Sequence, residues 1–440
     1  MTVKNHTKEQ HPKHKLDLYL DNPDFDINNS IIELYKELGL NRKKQETALK
    51  VVLFSLFFSY GEKVAVPRAK KALAPTRYNP NNIGYSALRT VLDKLNEYGY
   101  VHQEIGYRDF ADNIKRTTTI QSGFKLGCFF SDYKWHNNEE WFSHSPEFVV
   151  LRDNSKNKTL IDYTDNDKSI WMRDELSQYN DLLSDSEILL VKENQKTGEQ
   201  EILEEYSGTV VTRKFIQHNT EQSEIETSYG GRMYAPWCNI SSKQREMITI
   251  EDEKTVELDL EASSINITYV MQTAKKYPNG DPYKLTVGGV EIPRYIVKQA
   301  TTIMFNTKSI SGAVAALEAH YLPSVFNDNR SKKDIIKAEG YKTIKLKVKP
   351  GDIVRAILNK HIQVSHYFLQ GKKVGDYIAC QESDRVFEIV RRFAKRGILV
   401  LTVYDSFIIQ EQYKDDLQEL MNELHPLEYD NRKHPLLGVA

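Results

Sequence analysis

Cysteine is scarce in this sequence, which has three such residues (Cys128, Cys238 and Cys380) among 440. Their spacing matches no zinc-binding pattern, and so small and odd a set argues against a disulfide scaffold. No run of about 18 apolar residues occurs, and the polar N-terminus lacks the apolar stretch of a signal peptide. We therefore expect a cytoplasmic protein that does not interact with membranes.

An excess of charge of either sign is also missing, since 60 Lys and Arg residues face 61 Asp and Glu residues and give a net charge of -1. This neutral total neither indicates nor excludes nucleic-acid binding, because a nucleic-acid enzyme needs a locally basic cleft and not a basic protein. A length of 440 residues with 40% hydrophobic content predicts two or three domains with apolar cores.

The N-terminal part is predicted to be a flexible segment, residues 1–28, followed by a helical domain over 29–127. Apolar residues at helical spacing predict a helix over 85–98. Strand-like segments at 101–107 and 117–124 then flank a basic turn. This order is typical of a winged helix, a module that binds duplex DNA in some proteins and docks onto proteins in others. A small packing unit with a solvated turn is the alternative.

One candidate metal ligand is Asp259, in the segment TVELDLEASSINITYV. Val256 and Leu258 alternate with polar residues there, which predicts a strand, and the small residues at 262–264 predict a turn into a helix. Asp259 is thus expected at a strand end, held by a rigid element but accessible, as a divalent cation requires.

A second candidate is Asp405, in the segment GILVLTVYDSFIIQ. The apolar run 398–403 predicts a central strand, and apolar residues resume at 407–409. An ionised carboxylate in such a run costs several kcal/mol unless it is paired or metal-bound. The pattern predicts a hairpin with Asp405 at the bend, although an ordinary turn aspartate gives the same pattern.

Between these carboxylates, the segment 293–320 contains a predicted helix with a cationic face. Arg294, Lys298, Thr302 and Asn306 follow one another at intervals of four, which aligns them along one side. Two cations in such a line suit a triphosphate, whose charge must be neutralised as pyrophosphate leaves. A solvated basic face is the alternative.

Four segments, in this order, resemble motifs of the A-family DNA polymerases and of their relatives, the single-subunit phage-type RNA polymerases. These segments are GGRMY at 230–234, ELDL at 257–260, the helix carrying Arg294 and Lys298, and VYDS at 403–406. Gln381 is a weaker match to a helix glutamine near the primer terminus. The resemblance covers roughly residues 228–415, and the chain is most similar to compact, exonuclease-less enzymes of mobile elements, such as the primase-polymerases of staphylococcal cassette elements.

The resemblance implies a role for each matching residue at the catalytic centre. Asp259, Asp405 and the backbone carbonyl of Leu260 would hold two Mg²⁺ ions, for which Mn²⁺ can substitute. Arg294 and Lys298 would bind the triphosphate, and Lys298 would protonate the leaving pyrophosphate.

Further residues would contact the nucleotide and the nucleic acid. Ser264 and Asn306 would line the nucleotide site, and Arg232, Tyr234 and Gln381 would touch the template–product duplex. Lys345 and Lys347 alternate with apolar residues in KTIKLKVKPGD, which predicts a strand with one cationic face along a phosphate backbone or, equally, a lysine-protected edge strand.

Three departures from the family pattern affect substrate choice. Ser264 stands where family DNA polymerases commonly carry a glutamate that blocks a ribose 2′-hydroxyl, so we expect measurable ribonucleotide incorporation. Asn306, with Phe305 adjacent, replaces a tyrosine of the fingers helix, and Tyr404 replaces the histidine before the second metal ligand.

The implied fold is α+β: a right hand with an antiparallel palm sheet, helical fingers and a helical thumb, behind the winged-helix-like domain. Expected partners are template and primer, deoxynucleotides and ribonucleotides, a small single-strand-binding protein and a helicase. The implied domains are 128–227 as a connecting and thumb-like region, 228–270 as the first palm part, 271–340 as the fingers and 341–440 as the second palm part.

Three other functions give different expectations. A non-enzymatic winged-helix replication initiator or regulator needs no paired metals. A reverse transcriptase typically has two adjacent aspartates in its second metal motif, whereas Ser406 follows Asp405 here. A true RNA polymerase carries promoter-reading insertions too large for this length, although de novo priming stays open.

Overall fold

The computed structural model has mixed α and β structure, in agreement with the predicted α+β class. The chain folds into two units, an N-terminal unit, Met1–Glu147, and a C-terminal unit, Phe148–Ala440. The residues that the structure describes are 14–20, 24–59, 61–67, 73, 77–109, 114–135, 147–156, 158–193, 200–206, 209–219, 221, 223–321 and 348–424.

In the described part of the N-terminal unit, four α-helices pack against a small sheet. The sheet has the strand order β1-β2-β6-β3, and β4 and β5 form a separate antiparallel pair. The helices are α1 (Phe25–Glu37), α2 (Lys43–Phe58), α3 (Tyr85–Glu97) and α4 (Phe124–Asp132). The strands are β1 (His14–Lys15), β2 (Val64–Ala65), β3 (Val101–Glu104), β4 (Arg108–Asp109), β5 (Ile114–Lys115) and β6 (Thr119–Ser122).

The predicted order of helix, strand, turn and strand is present in this unit. Leu88, Val91, Leu92 and Leu95 of α3 are buried because their helical spacing places them on one face. β3 pairs antiparallel with β6, and the β4–β5 pair continues the same hairpin toward its turn. The helix and the paired strands are therefore present, while their identification as a winged helix and a role in DNA binding stay predictions.

Packing extends the N-terminal unit beyond the boundaries expected at residues 29 and 127. Leu16 and Leu20 are buried in its core, so packed structure begins before residue 29. At the other end, α4 spans residue 127, and the indole of Trp135 is buried and donates a hydrogen bond to Ser30 Oγ at 3.1 Å. Local composition did not reveal these contacts because each joins residues far apart in sequence.

The C-terminal unit contains the remaining elements. Its helices are α5 (Asp167–Asp185), α6 (Ser242–Arg245), α7 (Ser263–Thr273), α8 (Arg294–Asn306), α9 (Ile310–Tyr321), α10 (Pro350–Lys360), α11 (Lys372–Ala394) and α12 (Lys414–Glu423). Its strands are β7 (Val149–Asp153), β8 (Ile188–Glu193), β9 (Gln200–Glu205), β10 (Thr212–Gln217), β11 (Gly230–Tyr234), β12 (Ile248–Ile250), β13 (Glu253–Asp259), β14 (Leu285–Val287), β15 (Val290–Ile292), β16 (Leu401–Val403) and β17 (Ser406–Gln410).

A six-stranded sheet with the order β16-β17-β13-β12-β8-β9 supports the candidate site, and every neighbouring pair in it is antiparallel. A smaller sheet has the order β11-β10-β7. The apolar run 398–403 predicts a central strand, but β16 lies at one end of this strand order among the described residues. It is nevertheless buried, because Trp237 and Tyr179 cover it and donate hydrogen bonds to Thr402 O and Val400 O.

Helices that follow Asp259 in the chain pack around a common core. Apolar residues of α7, α8, α9, α10 and α11 form one core, which includes Ile265, Val297, Met304, Ile357 and Ile378. This core packs α8, which carries the predicted cations, against α11, which carries Gln381. Within the part of the chain that the structure describes, no helix is both long and apolar enough to cross a membrane.

Candidate active site

Asp259 lies at the last position of β13, as predicted. β13 pairs with β17 so that Asp259 stands opposite Ser406, and the next residue, Leu260, donates its backbone N–H to Asp405 O at 3.0 Å. The chain then turns through Ala262, whose φ of +47° lies in the left-handed region, and enters α7. Asp259 is exposed at this turn.

Asp405 lies in the two-residue turn between β16 and β17, which confirms the predicted hairpin. Val403 and Ser406 pair directly across this turn. The first turn residue, Tyr404, has a φ of +59°, a strained value for a bulky side chain. The paired strands therefore bring Asp259 and Asp405 to adjacent strand ends, each next to a turn that contains a left-handed residue other than glycine.

The surroundings of the two carboxylates suit a hard cation. Ser406 Oγ donates a hydrogen bond to Asp259 Oδ1, and the half-buried Asp405 side chain has no hydrogen bond or ion pair to any described residue. Mg²⁺ prefers such oxygen ligands and is commonly held by one or two carboxylates together with substrate phosphates. Among the described residues, no three or more His, Cys, Asp and Glu side chains are grouped to hold a metal.

The predicted cationic helix is α8, and Arg294, Lys298, Thr302 and Asn306 all belong to it. Arg294 Nε donates to Asp281 Oδ2 at 2.8 Å, so this arginine already has an anionic partner. Lys298 is exposed and forms no ion pair within the described ranges. On this face, Arg294 is thus paired with Asp281, whereas Lys298 is exposed and has no ion-pair partner among the described residues.

Asn306 is oriented mainly by helix packing. Its Nδ2 donates to Thr302 O at 2.9 Å, and its Oδ1 lies against Gly375 of α11, where any larger residue would collide with it. Asn306 remains exposed, so its predicted contact with a nucleotide stays a prediction.

Tyr283 connects α8 electrostatically with the carboxylates. The Arg294 guanidinium lies 5.2 Å from the centre of the Tyr283 ring. Burial raises the pKa of the Tyr283 hydroxyl far above its usual value, Arg294 lowers it, and the charges of Glu382 and Asp405 raise it further. Tyr283 is thus within electrostatic reach of both the helix cation and Asp405.

β11 supplies the next group of side chains. The Arg232 guanidinium lies 5.4 Å from the centre of the Tyr404 ring, and the rings of Tyr234 and Tyr404 meet edge to face at 6.4 Å. Lys214 Nζ lies 4.5 Å from the centre of the Tyr234 ring. Arg232 and Tyr234, which are predicted to touch nucleic acid, therefore both contact Tyr404, the residue before Asp405.

Glu382 of α11 is a buried acid that the sequence reasoning did not select. It accepts a hydrogen bond from Arg232 Nη2 at 3.2 Å and is only 3% exposed. Burial raises its pKa, Asp405 raises it further, and Arg232 lowers it. The hydroxyl of Ser263 is buried and forms no hydrogen bond of normal geometry to a described residue, but it also lowers the pKa of Glu382. The predicted residue, Gln381, lies beside Glu382 and is half-buried.

A sequence signal for Glu382 exists in retrospect. Ile378, Glu382, Arg385 and Ile389 follow helical spacing, and all four are buried. A charged residue on an apolar helical face indicates a buried polar contact. Glu257 was likewise not selected, although Arg245 binds it through two hydrogen bonds of 2.9 Å. Glu257, and more weakly Asp259, raise the pKa of Arg245.

Several predicted residues differ in how far the structure describes them. Ser264 is half-buried in the first turn of α7, close in sequence to Asp259. The backbone of Leu260 contacts Asp405, but its predicted role as a metal ligand stays a prediction. Lys345 and Lys347 lie outside the described residues.

Comparisons of this chain with protein-family models, with curated proteins and with solved structures returned no match.

Proposed function

We propose that this chain is a template-directed nucleotidyltransferase, an A-family-like DNA polymerase that also acts as a primase and depends on Mg²⁺. The observation that carries the proposal is the position of Asp259 and Asp405, which are distant in sequence but lie at adjacent strand ends. No described cation is paired with Asp405, so the two carboxylates offer oxygen ligands to a metal ion.

The residues around the carboxylates have complementary parts in this proposal. Asp259, oriented by Ser406 Oγ, and Asp405 hold the metal ions. Bound Mg²⁺ would lower the pKa of a primer 3′-hydroxyl and stabilise the leaving pyrophosphate. Lys298 and Arg294 bind the triphosphate, and Lys298 donates a proton to pyrophosphate. Arg294 must exchange Asp281 for a phosphate oxygen, which its exposure allows.

The proposal extends to architecture and setting. The six-stranded sheet would be the palm of a right hand, α8 and α9 would belong to the fingers, and Arg232, Tyr234 and Gln381 would contact the template–product duplex. Without a proofreading exonuclease, such an enzyme would replicate a mobile element in the cytoplasm, together with a single-strand-binding protein and a helicase.

Primer extension tests this proposal. Asp259→Ala and Asp405→Ala should each lower Mg²⁺-dependent nucleotide addition roughly 1,000-fold or more, since each removes a ligand on which charge stabilisation depends. Template binding, measured by fluorescence anisotropy, should change little. Glu253→Ala is the matched control, because it removes an exposed carboxylate from the opposite end of β13 and should leave the rate unchanged.

Extension by either aspartate variant at the wild-type rate would refute the assignment. A protein that binds DNA but adds no nucleotide to any template, with or without a primer, would instead favour the winged-helix initiator. Supplying deoxynucleotides and ribonucleotides separately, with and without a primer, distinguishes a polymerase from a primase.

A further inference from the structure

Glu382 is held in an environment that disfavours a charged group. Its side chain is 4% exposed, and moving an ionised carboxylate out of water is unfavourable unless a partner offsets the lost hydration. Its one ion-pair partner among the described residues is Arg232, at 3.2 Å. The pair links α11 to β11, two elements far apart in the chain.

Arg232 connects Glu382 with the turn at Tyr404 and Asp405. Its guanidinium lies 5.4 Å from the centre of the Tyr404 ring, within the range of a cation–π contact. On β11, Tyr234 supports the same ring from the edge. Arg232 Nε is buried without a hydrogen-bond partner in the described structure, so the Glu382 contact and the Tyr404 ring are what orient the guanidinium.

Tyr404 needs such support because its backbone is strained. The left-handed conformation of Tyr404 is unfavourable for a residue other than glycine, and such a conformation persists only when surrounding contacts enforce it. Asp405 is the next residue, so a change in the backbone conformation of Tyr404 would move the Asp405 carboxylate.

We propose that Glu382 is a positioning residue, which holds Arg232 against Tyr404 and thereby fixes the turn that presents Asp405. It acts through Arg232 and touches no reacting atom. Its effect on catalysis rests on the proposed function, whereas its effect on the turn does not.

Glu382→Gln tests the catalytic part, because it keeps the shape of the side chain and removes its charge. At saturating primer–template, we expect the rate of nucleotide addition to fall about 10-fold to 100-fold, and the Mg²⁺ concentration for half-maximal rate to rise about fivefold or more, as is typical when a group that orients a metal ligand is lost. A purely structural role would lower thermal stability and the active fraction but would leave the Mg²⁺ dependence unchanged.

Glu388→Gln is the matched control on the same helix. Glu388 also pairs with arginines, Arg391 and Arg392, but does so within α11. This variant should keep the wild-type Mg²⁺ dependence. If Glu382→Gln behaves in the same way as Glu388→Gln in an enzyme that extends primers, the inference is wrong while the proposed function stands.

A double-mutant cycle with Tyr404→Leu tests the route through Arg232 without any activity assay. The combined effect of Glu382→Gln and Tyr404→Leu on the unfolding equilibrium constant should differ at least fivefold from the product of their separate effects. Coupling of this size in a protein that extends no primer would support the inference and reject the proposed function. Independent effects would overturn the inference whatever the activity.

Discussion

The two units differ in what they bury. Among the described residues, no charged residue of the N-terminal unit is buried as a whole, whereas polar residues such as Gln45 and Asn79 are. The Glu147 side chain, which pairs with Arg77, is 6% exposed. The C-terminal unit buries Arg213, Glu382 and Arg385. Since burying a charge costs free energy unless it is well paired, the stability of the second unit depends on the partners of these side chains.

Arg213 and Glu382, two of these buried charged residues, bind to neighbouring residues of β11. Arg213 donates to Gly231 O at 2.8 Å and to Asp384 Oδ1 at 2.7 Å, and so fixes the residue beside Arg232. Glu382 binds Arg232 itself. In the N-terminal unit, by contrast, the Lys63–Glu104 pair lies about half exposed at the surface. Two of the buried charged residues of the C-terminal unit, Arg213 and Glu382, therefore bind residues 231 and 232 of β11.

Replacing the most buried arginine should produce the largest effect. We expect Arg213→Met to lower the free energy of unfolding of the C-terminal unit by roughly 3–5 kcal/mol, because it removes the Asp384 pair and the cation–π contacts with Phe215 and Phe387. Lys63→Met breaks an exposed pair in the other unit and should cost less than about 1 kcal/mol.

Hydrogen exchange measured peptide by peptide reports each unit separately and can check this difference. If Arg213→Met and Lys63→Met lowered the protection of amide hydrogens against exchange equally, the buried and the exposed ion pair would not differ in their contribution to stability.

Acid should destabilise the C-terminal unit through His361, which is fully buried. Burial lowers the pKa of His361 to about 4, whereas in the unfolded chain it stays near 6.5. Folding therefore favours the neutral imidazole. As far as His361 is concerned, the protein has its full stability above pH 6.5, where His361 is neutral in both the folded and the unfolded chain, and it loses stability as the pH falls from 6.5 toward 4 because only the unfolded chain then binds the proton readily. At about 1.4 kcal/mol per pKa unit, the loss approaches about 3 kcal/mol.

Urea unfolding between pH 7 and pH 4 measures this effect. His361→Gln should be less stable at pH 7 but should show a shallower decline with acid. Tyr269→Phe is the control, because it removes the hydroxyl 3.2 Å from His361 Nδ1 and keeps the imidazole. An unchanged slope in His361→Gln would show that this histidine does not cause the acid sensitivity.

The smallest effect concerns substrate choice at Ser264, the second residue of α7. We expect Ser264→Glu to lower ribonucleotide incorporation relative to deoxynucleotide incorporation about 10-fold, since a longer side chain would crowd a 2′-hydroxyl and one such contact contributes about 1–3 kcal/mol to discrimination. Ser86→Glu makes the same change at the second residue of α3 in the N-terminal unit.

Competition between labelled ribonucleotides and deoxynucleotides measures this ratio. Ser86→Glu should leave the ratio unchanged. A ratio that Ser264→Glu also leaves unchanged would remove Ser264 from the nucleotide site.

The sequence predicted the local geometry of the site well. The period-two pattern before Asp259 and the interrupted apolar run around Asp405 were sufficient to predict a strand end and a hairpin bend. Both features depend on neighbouring residues only. The helical line from Arg294 to Asn306 was predicted for the same reason and coincides with α8.

The sequence did not predict the contacts between distant segments. The roles of Glu382 and Asp281 depend on which side chain each one meets after folding, and spacing does not encode that choice. Residues 150–225 also carry little local signal, yet they contribute β8 and β9 to the six-stranded sheet. The exposed β9 shows little apolar alternation because it lies at the end of the described strand order.

The left-handed Tyr404 limits which substitutions the chain can accept at this position. Glycine would relieve the backbone strain but would remove the ring that meets Arg232 and Tyr234. Phenylalanine would keep the ring at the same backbone cost, and leucine would keep the cost without the ring. Histidine combines a planar ring with a relatively high tolerance for positive φ. Sequence drift at residue 404 should therefore be confined to a few aromatic types, even though the side chain is 38% exposed and would otherwise be free to vary.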